Sequence, residues 1–286
     1  MAEQIDDSDL TIPGVNQFRA RTETKIAVLE VLRTGRAGRY PVVQLTDEEL
    51  YALEGDRDPI AGMPYLSTLK GEQREFAREI ASRSMASRDL IRISDVDEQG
   101  MPTFALPAEV QGVLAARSAA SSVIIAERQA SEAGVVRVLF IQADQEVVVE
   151  EEVLPAGVHV FSVKPFDAAA EDLQEFLDPD AVASVSGKPR EVDLVAVTRG
   201  EATYGPIENE ARWASVLTLV TANDASGQTS PVDGDATVQE RRLTVYCAQD
   251  RVEVAEPHPD SAVVDIRAFS EDELRELVLE LVTGGA

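Results

Sequence analysis

Apolar residues in the second half of the chain recur at strand spacing, and they do so in two successive blocks. The first block carries Ser121-Ser-Val-Ile-Ile, Val136-Arg-Val-Leu-Phe-Ile, Val147-Val-Val and Gly157-Val-His-Val-Phe-Ser-Val. It ends in Lys164-Pro-Phe-Asp and an amphipathic run closing at Phe176-Leu177. The second block carries Trp213-Ala-Ser-Val-Leu-Thr-Leu-Val, Arg242-Leu-Thr-Val-Tyr, Arg251-Val-Glu-Val and Ala262-Val-Val-Asp-Ile, then Arg267-Ala-Phe-Ser and a run ending at Leu281-Val282. Each block reads as four strands and a helix. Short links such as Asp144-Gln145 and Gln249-Asp250 favour antiparallel pairing, because a parallel return needs a crossover of about a dozen residues.

The best internal match sets Val163-Lys-Pro-Phe-Asp against Ile266-Arg-Ala-Phe-Ser: a strand end, a cation, Phe166 or Phe269, then Asp167 or Ser270 as helix N-cap. Two copies at that interval suggest a pseudo-two-fold arrangement rather than a solenoid, whose periods run roughly 20–50 residues. Ser270 with Glu273 forms a capping box, Leu274, Leu277, Val278 and Leu281 make one apolar stripe, and Gly284-Gly285 sits where a C-cap belongs.

The first part of the chain is more helical. Thr24 to Leu32 carries apolar residues on both periods, with helix favoured for its second half. Thr46 and Glu49 form another capping box, opening a short helix that Gly55, Pro59 and Pro64 interrupt. Leu69, Phe76, Ile80 and Met85 predict a helix from Ser67 to about Arg88, with Arg74, Arg78, Arg83 and Arg88 between them. Leu90-Ile-Arg-Ile and Thr103-Phe-Ala-Leu predict a hairpin, and Pro107 to Arg117 a further helix. The expected class is therefore α+β: two related antiparallel sheet-plus-helix units with pseudo-two-fold symmetry, after a helical, winged-helix-like region. The expected divisions are a disordered acidic leader (1–20), the helical region (21–118), the first unit (119–177), a connection (178–212) and the second unit (213–286).

Charge narrows the partners. Fifty-two acidic against 26 basic side chains give a formal charge of −26, which repels phosphate backbones and anionic lipid surfaces. Neither nucleic acid nor membrane is favoured. Glu72, Glu75, Glu79 and Asp89 nearly cancel the arginines of the predicted helix, the pattern of a solvated face. The N-terminus lacks the basic and apolar regions of a signal peptide, and no apolar run approaches the roughly 20 residues needed to span a bilayer. The expected setting is cytoplasmic.

The residue pattern predicts no catalytic, cofactor-binding or metal site. There is no glycine-rich phosphate loop, nucleophile elbow or His-Glu-x-x-His helix. His159 alternates with Val158 and Val160 and reads as structural; His258, between Pro257 and Pro259, reads as an exposed loop residue. Cys247, the single cysteine, lies in phase with Leu243 and Val245 and reads as core. Glu150-Glu-Glu sends alternate carboxylates to opposite faces of a strand, which builds no cation cage. Trp213 reads as a core or edge anchor. The long polar stretch from Ala222 to Ala236 is either functional or disordered, and its composition favours disorder.

The helix-to-strand junction Ala81-Ser-Arg-Ser-Met-Ala-Ser-Arg-Asp-Leu-Ile, followed by a helix and two related sheet-and-helix halves, resembles the EspG family of actinobacterial type VII (ESX) secretion chaperones. The resemblance implies a cytosolic, acidic, pseudo-symmetric protein that keeps helical secretion substrates soluble until export. The function expected is thus a non-enzymatic chaperone or adaptor for a helical protein partner, with a homodimer compatible. A winged-helix transcriptional regulator, then an acidic immunity protein, are the alternatives, and an enzyme with dispersed carboxylates ranks last.

Overall fold

In a computed structural model of the protein, residues 11–12, 18–19, 22–55, 60–96, 102–129, 134–205, 210–223, 237–259 and 261–283 are described. The expectations for Gly284-Gly285, most of the polar stretch 222–236 and most of the leader fall outside them. Within the leader, strands β1 (Thr11–Ile12) and β2 (Phe18–Arg19) pair antiparallel. The class is α+β, and the described ladders are all antiparallel. Two compact units divide the chain, one of residues 1–120 with 149–164, the other of 121–148 with 165–286.

In the first unit, α1 (Thr22–Ala37) is helical throughout, its apolar periods resolved by packing on α4 (Ala108–Ser118). The crossing is close because Gly112 presents only a hydrogen to Ala27, whose carbonyl oxygen lies 2.5 Å from where a Cβ would stand. Strand β3 (Tyr40–Thr46), which the sequence pattern did not predict, leads into α2 (Asp47–Glu54). Thr46 and Glu49 make both bonds of the capping box, satisfying two free amides of the first turn. After α3 (Glu72–Ser87) comes the hairpin β4 (Arg92–Val96) and β5 (Pro102–Ala105).

The second unit contributes β6 (Ser122–Gln129) and β7 (Val135–Gln142) before β8 (Val147–Leu154). From Val149 the chain belongs to the first unit, where β9 (Val158–Pro165) pairs with β3. The β8–β9 turn needs Gly157 at φ +73°, a left-handed conformation, and a Cβ there would stand 2.7 Å from the Tyr65 Cβ.

In the second unit, α5 (Phe166–Leu177) follows β9, and the connection that follows holds β10 (Arg190–Asp193) and α6 (Leu194–Thr198). The remaining elements are β11 (Trp213–Asn223), β12 (Thr237–Cys247), β13 (Val252–Pro257), β14 (Val263–Phe269) and α7 (Glu271–Thr283). Strand order here is β10-β14-β13-β12-β11-β6-β7. Helices α5 and α7 pack on each other and bury Leu173, Phe176, Leu277 and Leu281 over one sheet face lined by Ile124, Leu139, Leu217, Leu243 and Val254. Beyond this core, Val192, Val264 and Ile266 form a smaller cluster with Tyr204 and Tyr246.

The proposed match between helix starts holds unevenly. Ser270 and Glu273 exchange both capping-box bonds. Asp167, in contrast, is not an N-cap: Pro165 occupies that place without a side-chain bond, and Asp167 lies inside the first turn, accepting from the Ala168 amide. The reason is local, since Pro165 needs no N–H partner and its fixed φ starts the helix two residues early.

Candidate functional site

Helix α3 begins at Glu72 rather than Ser67, leaving Leu69 outside it, and of the predicted apolar positions within it only part turn inward. Ala81 and Met85 are buried, whereas Phe76 is 61% and Ile80 48% exposed. They stand one turn apart on the outer side of the helix, next to charge. On α1 the same division recurs: Ala27, Val31 and Leu32 are core, while Ile26 and Leu29 are 52% and 56% exposed. Scattered single apolar side chains on a surface need no explanation, but pairs at i,i+3 and i,i+4 on helices already packed on their other face do.

The arginines along α3 are engaged within the chain. Arg78 pairs with Glu75 at 2.7 Å, Arg83 with Glu79 at 3.8 Å, and Arg88 reaches the capping-box carboxylate of Glu49. Arg74 donates to the Leu69 carbonyl. This side of the helix carries balanced rather than positive charge.

Below the surface of the first unit lies a chain of buried ionisable groups that sequence reasoning missed. His159, fully buried on β9, holds Asp47 Oδ1 at 2.8 Å through Nε2 and Glu151 Oε1 at 2.7 Å through Nδ1. Asp47 also accepts the Tyr65 and Leu66 amides, each at 2.8 Å. Arg117, at the end of α4, donates to Glu54 at 2.9 Å, and its Nε lies 3.1 Å from Glu151 Oε2. Burial alone would hold the imidazolium down. The hydrogen bonds to Asp47 and Glu151, with the charge of both carboxylates, outweigh it and lift His159 to about 9. A protonated histidine between two carboxylates, sealed from solvent, ties α2, β8 and β9 together and offers no access to a substrate. The available signal was alternation: Glu151 and His159 stand at core-facing positions of valine-rich strands. Glu150, one residue away, goes to the other face and bonds Lys164, as the alternation of Glu150-Glu-Glu requires.

In the second unit, Cys247 is buried, its thiol 3.5 Å from the Asp178 carboxylate, which also accepts the amides of Val182 and Ala183. Burial and that nearby negative charge push the thiol up to about 12. We expect the folded protein to resist alkylation by iodoacetamide at pH 8, with stoichiometric labelling appearing only in denaturant; fast native labelling would contradict this environment.

His258 is exposed, as expected for its loop, and its Nε2 lies 2.9 Å from Asp265. Trp213 borders the core as an anchor: its Nε1 donates to Asp180, and the Arg128 guanidinium lies between its ring and that of Phe176, 5.4 and 4.7 Å from the two centroids. A groove of about 270 Å³ beside α7 is lined by Arg241, Glu256, Asp265, Arg267, Glu273 and Glu280 among others. Its cations are committed internally, Arg241 to Glu256 and Glu280 and Arg267 to Glu273 and the face of Phe269.

Among the described residues no group of three or more His, Cys, Asp or Glu is placed to hold a metal ion, and no helix is long and apolar enough to cross a membrane. Large apolar side chains are exposed elsewhere too, at Ile60, Tyr65, Val185, Val195 and Leu279, but those of α1 and α3 stand in pairs on one helix face. The sequence matches no family model and no curated protein.

Proposed function

We propose that the protein is a non-enzymatic adaptor or chaperone that holds a helical protein partner against outward apolar helix faces. The observation that carries this reading is the exposure of Phe76 and Ile80 on α3, repeated by Ile26 and Leu29 on α1. Recognition of an amphipathic helix uses anchors at this spacing. A net charge of −26 keeps such a surface soluble while it is unoccupied. The EspG resemblance, with its two related sheet-and-helix blocks, makes type VII secretion substrates the partner class and the cytoplasm the setting. Ion pairing of Arg78, Arg83 and Arg88 weighs against the regulator reading, since phosphate contacts need cations that are free to engage.

The test is purification of the full-length chain from its native cytoplasm, followed by hydroxyl-radical footprinting of the complex. The expected result is a stoichiometric helical protein whose presence shields Phe76 and Ile80, or Ile26 and Leu29, from oxidation. A chain recovered without any stoichiometric helical protein, or a partner that shields neither pair, would remove the basis for the proposal.

A further inference from the structure

The outer face of α3 is ordered along its length. Glu72, Phe76, Ile80 and Arg83 follow one another on a single helix face at i, i+4, i+8 and i+11, and all four are exposed. An acid stands at one end, a cation at the other, and the apolar pair lies between them. Gln73 and Ser87 on the same face are uncharged, and Glu79 stands at its rim, 3.8 Å from Arg83. That ion pair is loose and wet, its side chains 74% and 68% exposed, so it contributes little and leaves Arg83 able to meet another carboxylate. Among the described residues Glu72 has no ion pair. Over its whole length α3 sets three acids, Glu72, Glu75 and Glu79, against three arginines, Arg74, Arg78 and Arg83. The helix is therefore neutral on a chain whose formal charge is −26.

From this order we infer that α3 is a two-fold contact between copies of this chain, its helices antiparallel across an axis between Phe76 and Ile80. Phe76 of one copy packs on Ile80 of the other, and Glu72 of each meets Arg83 of its mate, so both charge pairs close at once. The antiparallel setting also opposes the two helix dipoles favourably. Two chains at −26 repel each other over most of their surface, and a neutral helix is where that repulsion is least. An unrelated helix would need the apolar anchors but no particular order of charge, whereas a face that recognises itself needs acid and base at opposite ends. A helix of 16 residues is about 24 Å long, which places the contact at the small end of specific interfaces. The expected dissociation constant is on the order of micromolar. The inference goes beyond the adaptor reading by dividing the outward pairs: α3 takes the second copy, and Ile26 and Leu29 on α1 stay open for the helical partner.

The test is sedimentation equilibrium of the full-length chain, where a reversible monomer–dimer equilibrium is expected. Phe76→Asp or Ile80→Asp should weaken the dimer by about tenfold or more, since each change enters a two-fold interface twice. Glu72→Arg alone and Arg83→Glu alone should each weaken it by about threefold or more, and the double exchange should restore it to within about twofold of wild type. Restoration is the decisive readout, because reversing Glu72 does not rebuild the Glu79–Arg83 pair within one chain. Circular dichroism and the melting temperature should stay as in wild type, all four positions being exposed. A chain still monomeric at about a hundredfold above micromolar concentration would overturn the assignment. So would a dimer indifferent to Phe76→Asp and Ile80→Asp, or charge reversals that the double exchange fails to restore. A monomer that captures a helical protein overturns the dimer and leaves the adaptor reading standing. A dimer of the expected kind that captures no helical protein leaves this contact in place and removes the adaptor reading.

Discussion

Replacing Arg117 with alanine should destabilise the protein by about 3–5 kcal/mol, the range measured when one member of a buried ion pair is removed. Arg117 is 7% exposed and serves Glu54 and Glu151, themselves 6% and 0% exposed. Without the guanidinium, two carboxylates remain in a dry interior with one imidazolium between Glu151 and Asp47 to offset them. Urea denaturation followed by far-UV circular dichroism measures the loss. An apolar replacement of Arg117 together with both glutamates should be far less damaging, because it removes the orphaned charges along with their partner. A loss below about 1 kcal/mol for the single change would mean that water enters the cluster.

The same cluster gives the protein an alkaline weakness. His159 is raised to about 9 in the folded state from an ordinary value near 6.5. A raised pKa means that the folded state holds the proton more tightly, so its contribution is complete below about 6.5 and is lost as pH rises through about 9. Wild-type stability should therefore fall between those limits, while His159→Gln, less stable at neutral pH, should lose the slope. A parallel decline in both proteins would assign the effect to other groups.

The second large effect is expected at Gly112. Alanine is the better helix former by about 1 kcal/mol, and Gly112 lies in the interior of α4, so helix propensity alone predicts stabilisation. Packing reverses the sign. The added Cβ would stand 2.5 Å from the Ala27 carbonyl oxygen, 2.8 Å from its carbon and 2.9 Å from a Val31 methyl. The nearest of these are backbone atoms, so α1 must move as a whole, and overpacking of this kind costs about 1–3 kcal/mol. Gly112→Ala should lower the melting temperature, and Gly112→Val should lower it further. If Gly112→Ala proves neutral or stabilising, the helices are free to separate. Because α1 carries Ile26 and Leu29, the same substitution should also weaken capture of a helical partner.

Local signals determined much of this protein. Strand alternation placed the eight main strands from Ser122 to Phe269, and the boxes Thr46–Glu49 and Ser270–Glu273 placed two helix starts, because these depend on neighbours within a few residues. The burial of Cys247 also followed from its phase with Leu243 and Val245. What lay beyond reach needed partners distant in sequence. Strand β3 pairs with β9 across more than a hundred residues, a contact that no local period encodes, and Pro41 within it reads as a strand breaker unless the strand lies at an edge. Asp47, Glu54, Arg117, Glu151 and His159 form a network only because two helices and two strands bring them together, and each alone reads as an ordinary polar residue. The outward turn of Phe76, Ile80, Ile26 and Leu29 was likewise decided by packing: period shows which residues share a helix face, and only the tertiary structure shows which face the core covers.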